Sequence, residues 1–306
     1  MVAKGETKMT QQIIECVPNF SEGRRQKVID AIVAAIRDVR GVKVLDVKAD
    51  ADHNRTVITF VGGSEAIEEA AFRGIAQAAK MIDMDAHEGE HPRLGATDVV
   101  PFVPIQGATM DDCVAIAARL GARVGSELEI PVYLYEAAAT NPARRNLADV
   151  RRGEYEGLKQ EIEFNPARAP DFGPRRLGKA GATVIGARPP LIAFNIYLNT
   201  DDISIAQKIA RAVRHSSGGL RYVKALGLLV EGRAQVSMNL TDYRKTPIHR
   251  VVEMIRREAA RYGVSVVSSE LVGLTPQQAL LDTALYYLQL DGFSLDQVLE
   301  SHLAER

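Results

Sequence analysis

The chain is short of the residues that mark several large classes of protein. Only Cys16 and Cys113 occur among 306 residues. Neither has a CxxC partner or a nearby ligand cluster, so a disulfide scaffold and a cysteine zinc site are excluded by count. Neither sign of charge dominates: 38 Lys plus Arg stand against 39 Asp plus Glu, a net charge of -1. That balance leaves no electrostatic footprint for nucleic acid or an acidic membrane surface. No run of about 18 apolar residues occurs. The polar segment Met1 to Lys8 has no apolar region behind it that would mark a secretory signal. A cytoplasmic protein is expected, with residues 1–10 a leader ahead of the ordered chain. GxSxG and GxxxxGK[ST] are missing, and no GxGxxG leads from a strand into a helix.

What is present is an ordinary globular composition, 46% apolar and 25% charged. At this length a single core nears its practical limit, so two packed units are expected. The first half reads βαββαβ. An apolar run at 12–17, ended by Pro18, predicts a buried strand. Ile29, Ile32, Val33 and Ile36 fall at helical spacing and stop before Gly41. Runs at 42–47 and 56–61 predict strands, followed by a helix from Ser64, its expected N-cap, to Ile82. The run 98–105, interrupted by Pro101 and Pro104, predicts a strand at an edge or beside a site. A helix at 109–125, a strand at 131–135 and a polar, charged stretch to about 165 follow. From 191 the order repeats: strand 191–198, helix 203–214, strands 222–230 and 234–240, helix 248–262 and strand 264–268. Two helices, one after Thr275-Pro276 and one at 294–303, close the chain.

This order is the split βαβ, or ferredoxin-like, arrangement. The fold class is therefore α/β of the α+β kind, with two such subdomains at 11–188 and 189–306. Between the two halves, 166–190 is rich in Gly, Pro and Arg and contains the alternating ATVIGAR. It reads equally as a linker with a strand in it and as a loop holding an anionic ligand through backbone N–H groups.

Three polar clusters stand out. The densest runs from Asp85 through His87, Glu88, Glu90, His91 and Arg93 to Asp98, between a helix and a proline-broken strand. A histidine on such a loop is the obvious proton carrier. A solvated loop and a metal site compete with that reading. For metal, HxxxH on a Gly- and Pro-containing loop does not align two imidazoles as a helical HExxH does. The second, Asp52-His53-Asn54-Arg55, is a plain turn or an Arg clamp for a carboxylate. The third, Asn19 to Arg25, is a helix cap or an anion nest.

Several segments then carry a family resemblance: ECVPNFSEGR (15–24), DHNRTVITFVG (52–62), HEGEHPRLGATDVVPFVPI (87–105), PVYLYE (131–136), RRGEYEGL (151–158), PDFGP (170–174), GATVIGAR (181–188), LIAFNIYL (191–198), AQVSMNLTD (234–242) and VVSSELVGL (266–274). Together they resemble the formiminotransferase domain family, known alone and fused to a cyclodeaminase, from about Ile13 to Phe293. The resemblance implies two α/β subdomains forming a double-layer sheet with helices outside and a substrate tunnel. It implies transfer of the formimino group of N-formimino-L-glutamate to N5 of tetrahydrofolate, a one-carbon step of histidine degradation. Tetrahydrofolate is then a co-substrate and no metal is needed.

The family's catalytic histidine belongs to its EHPR motif, hence His91 and not His87. Its folate-binding segment follows DFGP, hence Gly173, Pro174, Arg175, Arg176, Leu177, Gly178, Lys179, Ala180 and Gly181. That segment is one residue shorter and more basic than in animal relatives, so main-chain contacts transfer and side-chain contacts do not. Lys48 stands where animal relatives have an acidic residue. Arg55, Arg93 and Arg188 are candidates for the carboxylates of glutamate and of the folate tail. Asp98 or Glu90 is the candidate for the cationic formimino group, and Asn19, Asn54, Gln235 and Asn239 are further substrate-binding candidates. A homodimer is expected, with ammonia release left to a separate cyclodeaminase.

Two other functions compete. One is formyl transfer between 5-formyltetrahydrofolate and glutamate at the same site. The other is a tandem RNA-recognition module, which is disfavoured because the strands TVITFV and AQVSMNL offer only Phe60 for base stacking.

Overall fold

The computed structural model describes residues 12–89 and 91–303, so the predicted leader and Glu90 lie outside the described residues. The chain divides into two compact units between Pro189 and Pro190. In the first unit the elements are β1 (Ile13–Cys16), β2 (Asn19–Phe20), α1 (Gln26–Arg37), β3 (Val42–Asp50), β4 (Arg55–Gly62), α2 (Ser64–Met81), β5 (Thr97–Gln106), α3 (Met110–Glu127), β6 (Val132–Glu136), α4 (Leu147–Val150), α5 (Glu154–Glu161) and β7 (Thr183–Ala187). One sheet runs β3, β4, then β1 with β2, then β5, β7 and β6. The first four positions are antiparallel and form the predicted βαββαβ unit. β7 and β6 extend it in parallel.

The predicted strand at 12–17 is shorter and resumes as β2 after a break at Val17-Pro18. Pro18 has no N–H to give a ladder, although its carbonyl still accepts from the Ile58 N–H at 3.1 Å. The expectation of an edge position for 98–105 is overturned: β5 lies between β1–β2 and β7. Its prolines are tolerated by register. Cys16 pairs with Phe102 and Asn19 with Val99, so Pro101 falls opposite the Val17-Pro18 break. Pro104 lies past Phe102, the last β5 residue paired with β7. Ser64 is not the N-cap of α2. Gly63 holds that place in extended backbone, and no side chain caps the helix.

Helices α1 to α3 cover one face of this sheet, where Ile14, Phe20, Ile58, Phe60 and Phe102 pack against Ile32, Ile36, Ile67 and Ile116. Phe60 is fully buried there, so it offers no stacking surface. On the other face Val99, Tyr133, Tyr135 and Val184 pack against Val150, Leu158 and Ile162. The charged stretch after β6 is therefore not structureless. Its short helices α4 and α5 are separated by Gly153 at φ +82°, which hides the helical period from a sequence window.

The second unit contains β8 (Ile192–Leu198), α6 (Ile203–Val213), β9 (Val223–Val230), β10 (Arg233–Leu240), α7 (Ile248–Ala260), β11 (Val266–Val272), α8 (Gln277–Leu288) and α9 (Leu299–Leu303). Its antiparallel sheet, β11-β8-β10-β9, has the ferredoxin-like order. Ile192, Phe194, Ile196 and Leu198 point to α6 and α7, and the alternate residues to the other face. The predicted helix at 294–303 shrinks to α9 after a 3₁₀ turn at Leu295–Gln297.

The segment 166–190 is more than a linker, since β7 occupies an interior position of the first sheet. Two of its glycines are required by space and conformation. Gly173 has φ +81° and a Cβ there would lie 2.5 Å from the Ile130 carbonyl oxygen; Gly181 has φ +69° and its Cβ would lie 2.3 Å from that of Leu94. Gly178 is different: its φ is ordinary and nothing lies within 4 Å of a Cβ. Gly181→Val is therefore expected to cost about 1–3 kcal/mol, and Gly178→Val less than ~0.5 kcal/mol. Urea unfolding of the full chain measures both, and equal midpoints for the two variants would contradict this account.

Candidate active site

Three segments of the first unit converge: 19–25 ahead of α1, the turn 51–54 between β3 and β4, and the loop 82–96 between α2 and β5. Asn54 joins all three. At φ +47° its Oδ1 accepts from the Gly23 N–H at 2.9 Å, while its Nδ2 donates to the Glu88 carbonyl at 2.8 Å. Both ends of the amide are thus engaged within the protein. The approach is close, because a Cβ on Gly23 would lie 2.0 Å from the Asp50 carbonyl oxygen. Glu22, almost fully buried, accepts the N–H groups of Arg24 and Arg25 at 2.9 and 2.8 Å and pairs with the Arg25 guanidinium. Burial opposes its charge, but these bonds outweigh it and hold the carboxyl below its usual range.

The resulting cleft is lined by Ser21, His53, Asn54, Arg55, His87, His91, Arg93 and Asp98. His91 Nε2 lies 2.6 Å from Arg55 Nη1. A guanidinium only donates, so Nε2 accepts and the imidazole is neutral with its proton on Nδ1. Burial above all, then the charges of Arg55 and Arg151, push its pKa down to about 3, against a smaller opposing effect of the Pro92 main chain. His53 stands edge-on, 6.4 Å away between ring centroids, with its Nδ1 2.8 Å from Asp50.

His87 is placed differently. Its Nδ1 accepts from Arg93 Nε at 3.3 Å and its Nε2 meets the Asn54 carbonyl at 3.2 Å. Both ring nitrogens are thus engaged within the protein, and burial lowers its pKa. Arg93 is engaged by Glu154 at 2.9 Å and by Glu156 at 2.5 Å, so its charge is already matched. Asp98 is buried, accepts the Leu94 N–H at 2.9 Å and is ion-paired to Arg151. Arg151 is not among the site candidates read from the sequence; its signal there is RRGEYEGL in the resemblance. Asn19 donates to the Val17 carbonyl at 3.2 Å and its Oδ1 lies 3.4 Å from Arg55 Nη1.

The segment Gly173 to Gly181 borders the same loop. Met84 N–H donates to the Lys179 carbonyl at 2.8 Å, Ala96 N–H to that of Ala180 at 2.8 Å, and Lys179 pairs with Asp83 at 2.9 Å. Leu177 packs partly into the core, and Arg175 donates to the Ile162 carbonyl. Among the described residues, the main-chain N–H groups of Arg175, Arg176 and Leu177 have no partner. Arg188 is outside the cleft lining: its N–H donates to the Phe102 carbonyl at 3.1 Å, and its charge acts on Glu15. Gln235 and Asn239 belong to β10 in the second unit, Gln235 buried and opposite Tyr197, Asn239 exposed.

Comparison with known proteins assigns this architecture. Residues 13–188 match the formiminotransferase domain, N-terminal subdomain, and residues 193–303 match the formiminotransferase domain. The chain belongs to the formiminotransferase family. Similar proteins include the glutamate formimidoyltransferase of Thermoplasma acidophilum, 55% identical over 292 residues that cover 94% of this chain and 96% of the relative. That of Streptococcus pyogenes serotype M1 is 50% identical over 95% of this chain and 99% of its own length. The formimidoyltransferase-cyclodeaminase of Mus musculus is 47% identical over 90% of this chain, which spans only 52% of that longer protein.

The neutral state of His91 has a consequence for this formiminotransferase-family fold. An unfolded histidine ionises near 6.5, whereas here ionisation waits until about 3. Between those values the unfolded chain binds more protons, so stability falls as pH is lowered through the window. His91→Gln is expected to flatten that decline in urea midpoints measured across the window, and an unchanged slope would refute the assignment.

Proposed function

We propose that this chain transfers the formimino group of N-formimino-L-glutamate to N5 of tetrahydrofolate, giving 5-formiminotetrahydrofolate and L-glutamate, with His91 as the proton carrier. Family membership and relatives named glutamate formimidoyltransferase support the reaction. The observation that carries the mechanism is a neutral imidazole whose Nε2 lone pair faces a guanidinium in a small cleft.

The chemistry needs one proton moved. N5 attacks the formimino carbon, and the adduct carries the N5 proton until N5 loses it. The glutamate nitrogen must gain a proton to leave as an amine. One imidazole can take the first proton and return it to the second nitrogen, after which the C–N bond to glutamate breaks. The substrate brings two carboxylates. Of the cleft cations, Arg93 and Arg151 are matched by internal carboxylates, and Arg55 is hydrogen-bonded to neutral partners. Arg55 is therefore assigned to a substrate carboxylate, and Arg93 to holding the loop. Tetrahydrofolate is assigned to Gly173 through Gly181, whose open N–H groups lie on a segment bonded to the His91 loop. The product, 5-formiminotetrahydrofolate, keeps the formimino nitrogen and is then the substrate of a cyclodeaminase acting separately.

The purified chain is expected to consume formiminoglutamate only when tetrahydrofolate is present. His91→Ala is expected to lower kcat about 10²–10⁴-fold with folding intact, and near wild-type turnover would sink the assignment. His87→Ala is expected to be milder.

Activity is also expected to survive exhaustive chelation, because both His87 nitrogens are committed inside the protein and the reaction asks for proton transfer and charge stabilisation. Loss on chelation with rescue by one divalent ion would overturn that expectation.

A further inference from the structure

Arg55 Nη1 sits on the one atom a base at this position must present, His91 Nε2, at 2.6 Å. While that contact stands the lone pair is occupied. The other polar neighbours hold Arg55 weakly: Asn19 Oδ1 is 3.4 Å away, and Arg55 Nε is buried without a partner among the described residues. The nearby carboxylates are taken. Asp98 is held by Arg151 and the Leu94 N–H, Asp50 by His53, and Glu22 by the start of α1. The charged and titratable groups around His91 are Arg55 from β4, Arg151 from the α4–α5 junction, His53 from the β3–β4 turn, Asp98 from β5, and His87 and Arg93 from its own loop, with Asp50 of β3 acting on Arg55; Glu90 lies outside the described residues.

We propose that Arg55 is a substrate-operated stop on His91: its guanidinium covers Nε2 in the free enzyme, and a carboxylate of the incoming amino-acid donor draws it away and exposes the lone pair. The proposal rests on the transfer reaction given above. A guanidinium–carboxylate pair is charge-assisted at both ends and stronger than a guanidinium bond to a neutral imidazole, so the exchange favours the donor-bound arrangement. The same carboxylate neutralises the cation that most opposes imidazolium formation, so donor binding both uncovers the base and strengthens it. By linkage, protonation of His91 must tighten donor binding to the same degree.

Nitrogen NMR of histidine-labelled full-length protein tests this, with His91 assigned by the signal missing in His91→Gln and L-glutamate as the probe. In the free protein His91 is expected to stay neutral, with its proton on Nδ1, well below the ordinary histidine range. L-glutamate is expected to raise its proton affinity at least about tenfold, a midpoint shift of roughly one pH unit. In Arg55→Gln the midpoint is expected to rise without glutamate, and glutamate adds no further shift. Arg55→Lys, which keeps the charge without the reach, falls between and serves if the glutamine variant does not fold. A His91 midpoint indifferent to glutamate, or identical in wild type and the Arg55 variants, overturns the stop. The wild-type transfer assay separates the two failures. Transfer with an unresponsive His91 refutes the stop alone, whereas a responsive His91 without transfer refutes the reaction alone.

Discussion

The two hydrogen bonds of Asn54 hold the candidate site together. Glu22 accepts the N–H groups of Arg24 and Arg25 just ahead of α1, yet those bonds do not fix α1 to the His91 loop. Asn54 does so, through Gly23 on one side and Glu88 on the other. A side-chain amide can donate and accept at once, which neither aspartate nor leucine of similar size can do. Asparagine also tolerates the left-handed backbone found here better than most residues. Hydrophobic packing of α1 and α2 on the sheet sets the distance between these segments. The amide then sets their register.

Above that tie the cleft is organised by charge matching. Asp98 with Arg151, and Arg93 with Glu154 and Glu156, are pairs that satisfy each other and position backbone. A buried charge left alone is costly, so such pairs form wherever partners are within reach. Arg55 is set apart by its partners, a neutral imidazole and an amide. Its cost is met by the packing around it, and it leaves the cleft with a cation available to an anionic ligand. The helices α4 and α5, built from a stretch with little apolar character, matter because they deliver Arg151, Glu154 and Glu156 to the loop that carries His91.

Much of the architecture was legible in the sequence. The strands and helices of both βαββαβ units follow from periods of two and 3.6, because burial of one face imposes those periods locally. The resemblance of the EHPR motif is what implies His91 and not His87 as the family's histidine. Other features were not legible. The Val17-Pro18 break and the interior place of β5 depend on register between strands far apart in sequence, where one proline is excused by another. Gly178 and Gly181 look alike on paper, but only Gly181 meets a neighbouring carbonyl oxygen.

The sequence by itself thus determined the element order and the two units, since each is written in short-range pattern. Only the tertiary structure decided which charged groups remain available. Arg55 meets His91 across 36 positions, Arg151 meets Asp98 across 53, and Arg93 meets Glu154 and Glu156 across 61 and 63. Long charged side chains take whichever partner packing brings within about 3 Å, and no local pattern encodes that choice.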